Sequence, residues 1–181
     1  MESSEEPMEC LVKQNNDTTQ QLNRLYDNWT LWVHLPHDTD WTVKSYKKIM
    51  TIGSVEEALS LTETLPEKMI KNCMLFLMRE GIQPTWEDEK NRKGGCFSYK
   101  IANKSVTSVW KQLSYTLMGE TLTKDVKFRT TINGITISPK KNFCIIKIWL
   151  SSCDYQNPSK IDDFEGMTSY GCLFKKHTPE Y

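Results

Sequence analysis

Six tryptophans are spread through the 181-residue chain, and two of them stand where a hydrophobic core has little use for an indole. Trp41 follows Asp38-Thr39-Asp40, and Trp86 lies between Pro84-Thr85 and Glu87-Asp88-Glu89, so both are expected on polar loops. An indole face is electron-rich, and a flat, delocalised cation held between two such faces gains stacking and a cation–π attraction. Glu87, adjacent to Trp86, offers a carboxylate that accepts two hydrogen bonds in the plane of a held ring. Guanine presents N1–H and N2–H₂ side by side for such an acceptor, and methylation at N7 gives it the positive charge the clamp favours. Phosphates beyond the ring would meet Lys140 and Lys141, two cations on an expected loop before a strand. Each feature also has an ordinary use: the indoles as apolar anchors for their loops, the lysines as a solvated turn.

Catalysis finds less support. The three histidines, His34, His37 and His177, show no metal-ligand spacing with another His or Cys. Neither a Gly-x-x-x-x-Gly-Lys-Ser/Thr loop nor a Gly-x-Ser-x-Gly elbow occurs. The sequence therefore predicts a binding protein, not an enzyme, with no metal and no cofactor. With Lys+Arg 23 against Asp+Glu 23 the formal net charge is zero. Non-specific wrapping of nucleic acid needs a basic excess, so any nucleic-acid role must be local, a small basic spot beside a specific pocket.

The surrounding chain has the means to position these groups. At 38% hydrophobic and 25% charged residues it can build one packed domain. The six cysteines form no Cys-x-x-Cys pair, and three lie in apolar or strand-like runs, where a reduced thiol acts as a small hydrophobe. No apolar run approaches the ~20 residues of a membrane span, and the acidic start does not read as a secretion signal, so a soluble, cytoplasmic protein without membrane contact is expected. Residues 1–24 are polar and read as a flexible tail, leaving 25–181 as the folded domain.

Trp29 to Leu35, Val43 to Ile52, Cys73 to Met78, Cys96 to Ala102 and Phe143 to Leu150 read as strands. Val126 to Ile137 reads as a hairpin turning at Asn133-Gly134, and Tyr170 to Phe174 as a last edge strand. Ser54 and Glu57 form a capping box that opens a helix running to Pro66, and Asn157-Pro158 starts a short one. Ser105 caps another, with Val106, Val109, Trp110, Leu113 and Leu117 on one face and Gly119 as its stop. For Trp29, Trp32 and Trp110 core packing is the expected use. Strands outnumber helices without βαβ alternation, which predicts an α+β domain: a curved, mostly antiparallel sheet with helices on one face.

The stretch from Gly81 to Gly95, with Trp86-Glu87-Asp88-Glu89-Lys90-Asn91 at its centre, resembles the signature of the eukaryotic translation initiation factor 4E family, the mRNA cap-binding proteins. Asn28 to Trp32 resembles that family's first strand, Trp41 falls at the spacing of its first cap-stacking Trp, and Ser54-Val55 and Val109 to Glu120 resemble its two dorsal helices. The likeness runs from about Asn28 to Ser151.

It implies a cupped-hand fold with helices on the convex back, Trp41 and Trp86 as the sandwich around 7-methylguanine, and Glu87 as its reader. It also implies Trp149 near the methyl group and Lys140, with Lys141 beside it, on the phosphates of a capped mRNA 5′ end. Cys96 and Ile145 stand where the family often has basic residues, so the expected triphosphate grip is either weaker or shifted toward Lys175 and Lys176. The resemblance further implies a dorsal surface for scaffold or repressor helices at Val55, Leu59, Trp110, Lys111 and Tyr115. Leu59 replaces the family's Trp and Asn23-Arg24 its His-Pro, so that surface is expected to be non-standard. The segment after Trp149 looks too short for the family's long third helix. The main reading is a translation initiation factor; its rivals are a cap-binding repressor or decoy acting in its own or a host cytoplasm, a single-stranded RNA or nucleotide-binding module without cap specificity and, least supported, a nucleotide-processing enzyme.

Overall fold

In a computed structural model, which describes residues 22–179, alternation along seven strands gives one sheet two different apolar faces. The strands are β1 (Arg24–His34), β2 (Lys47–Ser54), β3 (Met74–Arg79), β4 (Gly95–Ala102), β5 (Ile132–Pro139), β6 (Phe143–Leu150) and β7 (Leu173–Lys176). Their order across the sheet is β2-β1-β3-β5-β6-β4-β7, and every neighbouring pair is antiparallel. The helices are α1 (Val55–Thr64), α2 (Glu67–Asn72), α3 (Val106–Met118) and the short α4 (Val126–Arg129). This is the open antiparallel α+β architecture of a cupped hand. Most of the expected 1–24 tail lies outside the described residues, and Arg24 already belongs to β1.

Because side chains alternate along a strand, β3 (MLFLMR) serves both faces. Leu75 and Leu77 join the main core with Trp29, Leu31, Ile135, Ile146 and Ile148, beneath Val109, Trp110 and Leu113 of α3. Phe76 and Met78 point the other way and form a smaller cluster with Ile82 and Trp149, flanked by Trp32, Tyr46 and Trp86. Trp29 and Trp110 are core residues as expected, whereas Trp32 is half-buried on the second face.

The Ser54 hydroxyl accepts from Glu57 N–H at 3.2 Å, and the Glu57 carboxylate accepts from Gly53 N–H at 2.7 Å, a capping box reaching one residue further back than usual. Ser105 precedes α3 without a side-chain capping bond, contrary to the expected cap. The strand expected over Val43–Ile52 starts only at Lys47, because Val43–Ser45 form a 3₁₀ turn. Between β6 and β7 the described chain has one short 3₁₀ turn, Pro158–Lys160, and no long helix.

The hairpin expected at Asn133-Gly134 is wrong. Those residues lie inside β5, after α4, and the turn is made instead at Lys140-Lys141-Asn142 between β5 and β6. The Asn133 side chain is spent on the loop before β4, donating to Lys90 O and Asn91 Oδ1, both at 2.9 Å. Gly134 is needed because a Cβ there would lie 2.5 Å from Leu77 O of the neighbouring strand.

Candidate functional site

The face away from the helices holds a cavity of about 910 Å³. Trp41, Val43 and Tyr46 bound one side, Gln83 to Glu87 the other, and Met74, Phe76, Lys147 and Trp149 line it between them. Rings meet in an unbroken chain across it. Trp41 stacks on His34 (centroids 4.2 Å, planes 4° apart), His34 meets Tyr46 edge-on at 5.1 Å, and Tyr46 meets Phe76 at 5.2 Å. Phe76 meets Trp149 at 6.4 Å, Trp149 leans on His177 at 4.9 Å, and His177 stacks on Trp86 at 5.6 Å and 15°. The two loop tryptophans are thus the ends of one aromatic belt, each with a face against a histidine.

Trp41 is held by a polar frame. Asp40 accepts from Thr42 N–H (2.8 Å) and hydroxyl (3.0 Å), which holds its carboxyl below the usual value, and the Asp40 carbonyl lies 2.8 Å from His34 Nε2. The indole itself is 59% exposed. Trp149 is fixed more firmly, its Nε1–H donating to Thr136 Oγ1 at 2.7 Å. Burial, and then the nearby Glu87 carboxylate, push the Tyr46 phenol up, so it stays neutral.

The loop carrying Trp86 and Glu87 is laced internally by residues that the signature contains but that composition gives no reason to notice. Asp88 accepts from Gln83 N–H and Lys90 N–H, both at 2.8 Å. Asn91, fully buried, donates to Gln83 O and Thr85 O at 2.9 Å and accepts from Asn133. Arg92 donates to the Glu87 carbonyl at 2.7 Å. Gly94 closes the loop where a Cβ would sit 1.7 Å from Leu150 O, so no other residue fits. Glu87 is left at the exposed rim of the cavity beside Trp86.

The basic residues divide. Lys140 and Lys141 stand on the β5–β6 turn, and neither they nor Lys176 line the cavity. Lys175 Nζ lies 5.5 Å from the centre of the Trp86 ring, and Lys147 Nζ, which the sequence reading missed, lies 5.8 Å from it. Lys147 shares its face of β6 with Trp149, and the alternation of β6 is the signal that could have found it. Between these lysines the buried Cys96 thiol is pushed up by desolvation, against the opposing pull of Lys147 and Lys175, and stays protonated.

On the opposite face Val55 and Leu59 of α1 are exposed, Leu59 by 48%. Lys111 and Tyr115 of α3 both donate to Glu63 of α1, at 2.5 and 2.7 Å, so a polar bridge spans the two helices. Trp110 does not belong to that surface: it is 2% exposed and points into the core. A second hollow, about 430 Å³ beside Tyr26 and Val126, presents an Arg79 already paired with Asp27 and Glu120.

An open seven-stranded antiparallel sheet, helices on one face and an aromatic cup on the other, defines the cupped-hand class. The model of the eukaryotic initiation factor 4E family matches residues 24–169, and the chain belongs to that family. It is 28% identical to the eukaryotic translation initiation factor 4E of Candida albicans over 151 residues, 76% of this chain and 70% of that one. It is 29% identical to the homolog in Acanthamoeba polyphaga mimivirus over 136 residues, 64% of this chain and half the length of the viral protein. Among solved structures, C. elegans eIF4E-3 in complex with the 4E-binding protein Mextli and a cap analog superposes with a TM-score of 0.66 at 20% identity, over 74% of this chain and 76% of that one. A schistosome eIF4E complexed with m7GpppG and 4E-BP gives 0.66 at 24% identity, over 74% of each chain.

Proposed function

We propose that this protein binds the 7-methylguanosine cap of mRNA in the aromatic cup and serves translation initiation by binding alone, without catalysis. The observation that carries the reading is the pair of loop-borne indoles at the ends of one aromatic belt, with a carboxylate beside the second. The faces of Trp41 and Trp86 that the histidines leave uncovered take the methylated ring between them, and Glu87 accepts from guanine N1–H and N2–H₂. Trp149, pinned to Thr136, borders the N7-methyl group. The phosphates leave toward Lys147 and Lys175, with Lys140, Lys141 and Lys176 further out.

A second reading, a cap-binding repressor or decoy, is favoured by the dorsal surface. The nematode and schistosome relatives are seen with 4E-binding proteins. Here Leu59 offers a smaller apolar contact than Trp, and the Lys111–Glu63–Tyr115 bridge puts polar groups beside it. The partners proposed are therefore a capped mRNA 5′ end and, through Val55, Leu59, Lys111 and Tyr115, a scaffold or repressor of adapted sequence. The setting is cytoplasmic, in a host cell if the protein is viral. No helix among the described residues is long and apolar enough to cross a membrane.

The test is retention on a 7-methylguanosine resin with release by cap analogue and not by GTP, followed by pull-down with a scaffold peptide. Trp41→Ala and Trp86→Ala each remove a stacking face worth ~1–3 kcal/mol and should weaken cap-analogue binding by about tenfold or more. Wild-type affinity in both variants would place the pocket elsewhere.

A further inference from the structure

His177 is a buried titratable group with no part in the cap reading above. It follows β7, is 2% exposed, and fills the space between Trp86 and Trp149. Its backbone N–H donates to Gly94 O at 3.0 Å, and its Nδ1 lies 2.8 Å from Asn91 O. A carbonyl only accepts, so Nδ1 carries the proton. Nε2 is then a bare lone pair, and it is buried with no hydrogen-bond partner. A neutral ring tolerates that placement; a protonated one would bury an N–H with no acceptor.

The charges around His177 pull in both directions. Lys147 of β6 opposes a positive imidazole, Glu87 on the recognition loop favours it, and Lys175 of β7 already stands near the Trp86 ring. Burial is the largest influence and holds the imidazole below its ordinary pKa; Lys147 adds to this, while Asn91 and Glu87 oppose it.

We propose that His177 is a positioning residue for cap capture: its neutral ring backs Trp86 and latches the C-terminal segment onto the recognition loop, and its protonation releases both. The inference rests on Trp86 being a cap-stacking residue. Its sign follows from linkage. The docked ring binds protons less readily than a released one, so the latch is intact above the ordinary histidine range and weakens as pH falls through it. The element it holds opens easily, for β7 pairs with one strand only, along Gly95–Ser98. A positive ring behind Trp86 would also add to Lys147 and Lys175 in repelling a cationic ligand.

The experiment titrates full-length wild type, His177→Phe and His177→Ala with 7-methyl-GTP by tryptophan quenching, from about pH 7.5 to about pH 5.5. Each protein is referenced to its own affinity at the upper pH, so titration of the ligand and of every group other than residue 177 is common to all three. The expected result is that wild type loses about fivefold more affinity than His177→Phe on acidification, and that Phe restores most of the affinity Ala loses at the upper pH. If Phe is too large to seat, His177→Gln, which also cannot titrate, serves the same comparison. Amide exchange of residues 173–178 should accelerate at low pH in wild type only. Matching pH profiles in wild type and the non-titrating variant, together with pH-independent exchange, would overturn the proposal. Failure of every version to bind the analogue at the upper pH would instead overturn the cap reading, while the exchange measurement still decides the latch.

Discussion

Asn91→Ala tests whether the recognition loop is built before the ligand arrives. The side chain makes three hydrogen bonds at 2.9 Å, donating to Gln83 O and Thr85 O and accepting from Asn133 Nδ2. Gln83 is exposed and can turn to water, while the Thr85 carbonyl belongs to a buried residue and Asn133 keeps only Lys90 O. At ~1 kcal/mol per bond, with more for the buried carbonyl and less for the exposed one, the variant should lose ~2–3 kcal/mol in urea unfolding. Trp86 and Glu87 hang from the strand of loop these bonds tie down. Ordering that loop would then have to occur on binding, and affinity for 7-methyl-GTP should fall by about tenfold or more. Asn133→Ala, which removes one of the three bonds and its own link to Lys90, should show the same pattern at smaller size. Stability lost with cap affinity unchanged would refute the reasoning, because it would show that Asn91 supports the fold without organising the site.

Glu87→Gln removes a charge-assisted pair of ~1.5–3 kcal/mol, so cap-analogue affinity should fall about tenfold or more, and wild type should bind 7-methylinosine, which lacks the N2 amine, poorly; equal binding of the two bases would remove Glu87 from the role. Lys147→Ala with Lys175→Ala should lower the slope of log affinity against log salt by about one unit or less per residue, whereas Lys140→Ala with Lys141→Ala should change it less. The reverse ranking would return the phosphates to the β5–β6 turn. Calorimetry with a Tyr-x-x-x-x-Leu peptide should give weak binding to wild type and about tenfold stronger binding to Leu59→Trp, since Trp anchors often contribute ~2 kcal/mol or more; tight wild-type binding with no gain would misplace the dorsal site.

Much of the fold was legible because local signals agreed with tertiary ones. Phe143–Leu150 alternates and is β6 to the residue; Ser54 caps α1 in sequence and in space. The failures have physical causes. Asn133-Gly134 carries the strongest hairpin dipeptide in the chain, but Gly134 serves a close approach to Leu77 and Asn133 a distant loop, neither of which local sequence encodes. Ser105 has the right residue type for a cap and a backbone conformation, φ −103° and ψ −9°, that does not use it. At the site, Trp41, Trp86, Glu87 and Trp149 were visible as chemistry out of place or as matches to a family pattern. His34 and His177 have no metal-ligand spacing to mark them, and their role as stacking partners is made by folding and leaves no spacing rule to read.

Two strands bring the basic residues of the cup together. Ile145, Lys147 and Trp149 share one face of β6, so Lys147 lies about 7 Å along the strand from Ile145, toward Trp149. Cys96 of β4 carries no charge, and the antiparallel register sets Lys175 of β7 directly across from it. Cross-strand neighbours lie ~5 Å apart, within the reach of a lysine side chain. The sheet gathers these two cations around Trp86 and leaves Lys140 and Lys141 on a turn away from the cavity wall. Phosphate nearest the base should therefore carry more of the electrostatic attraction here than phosphate farther along the chain.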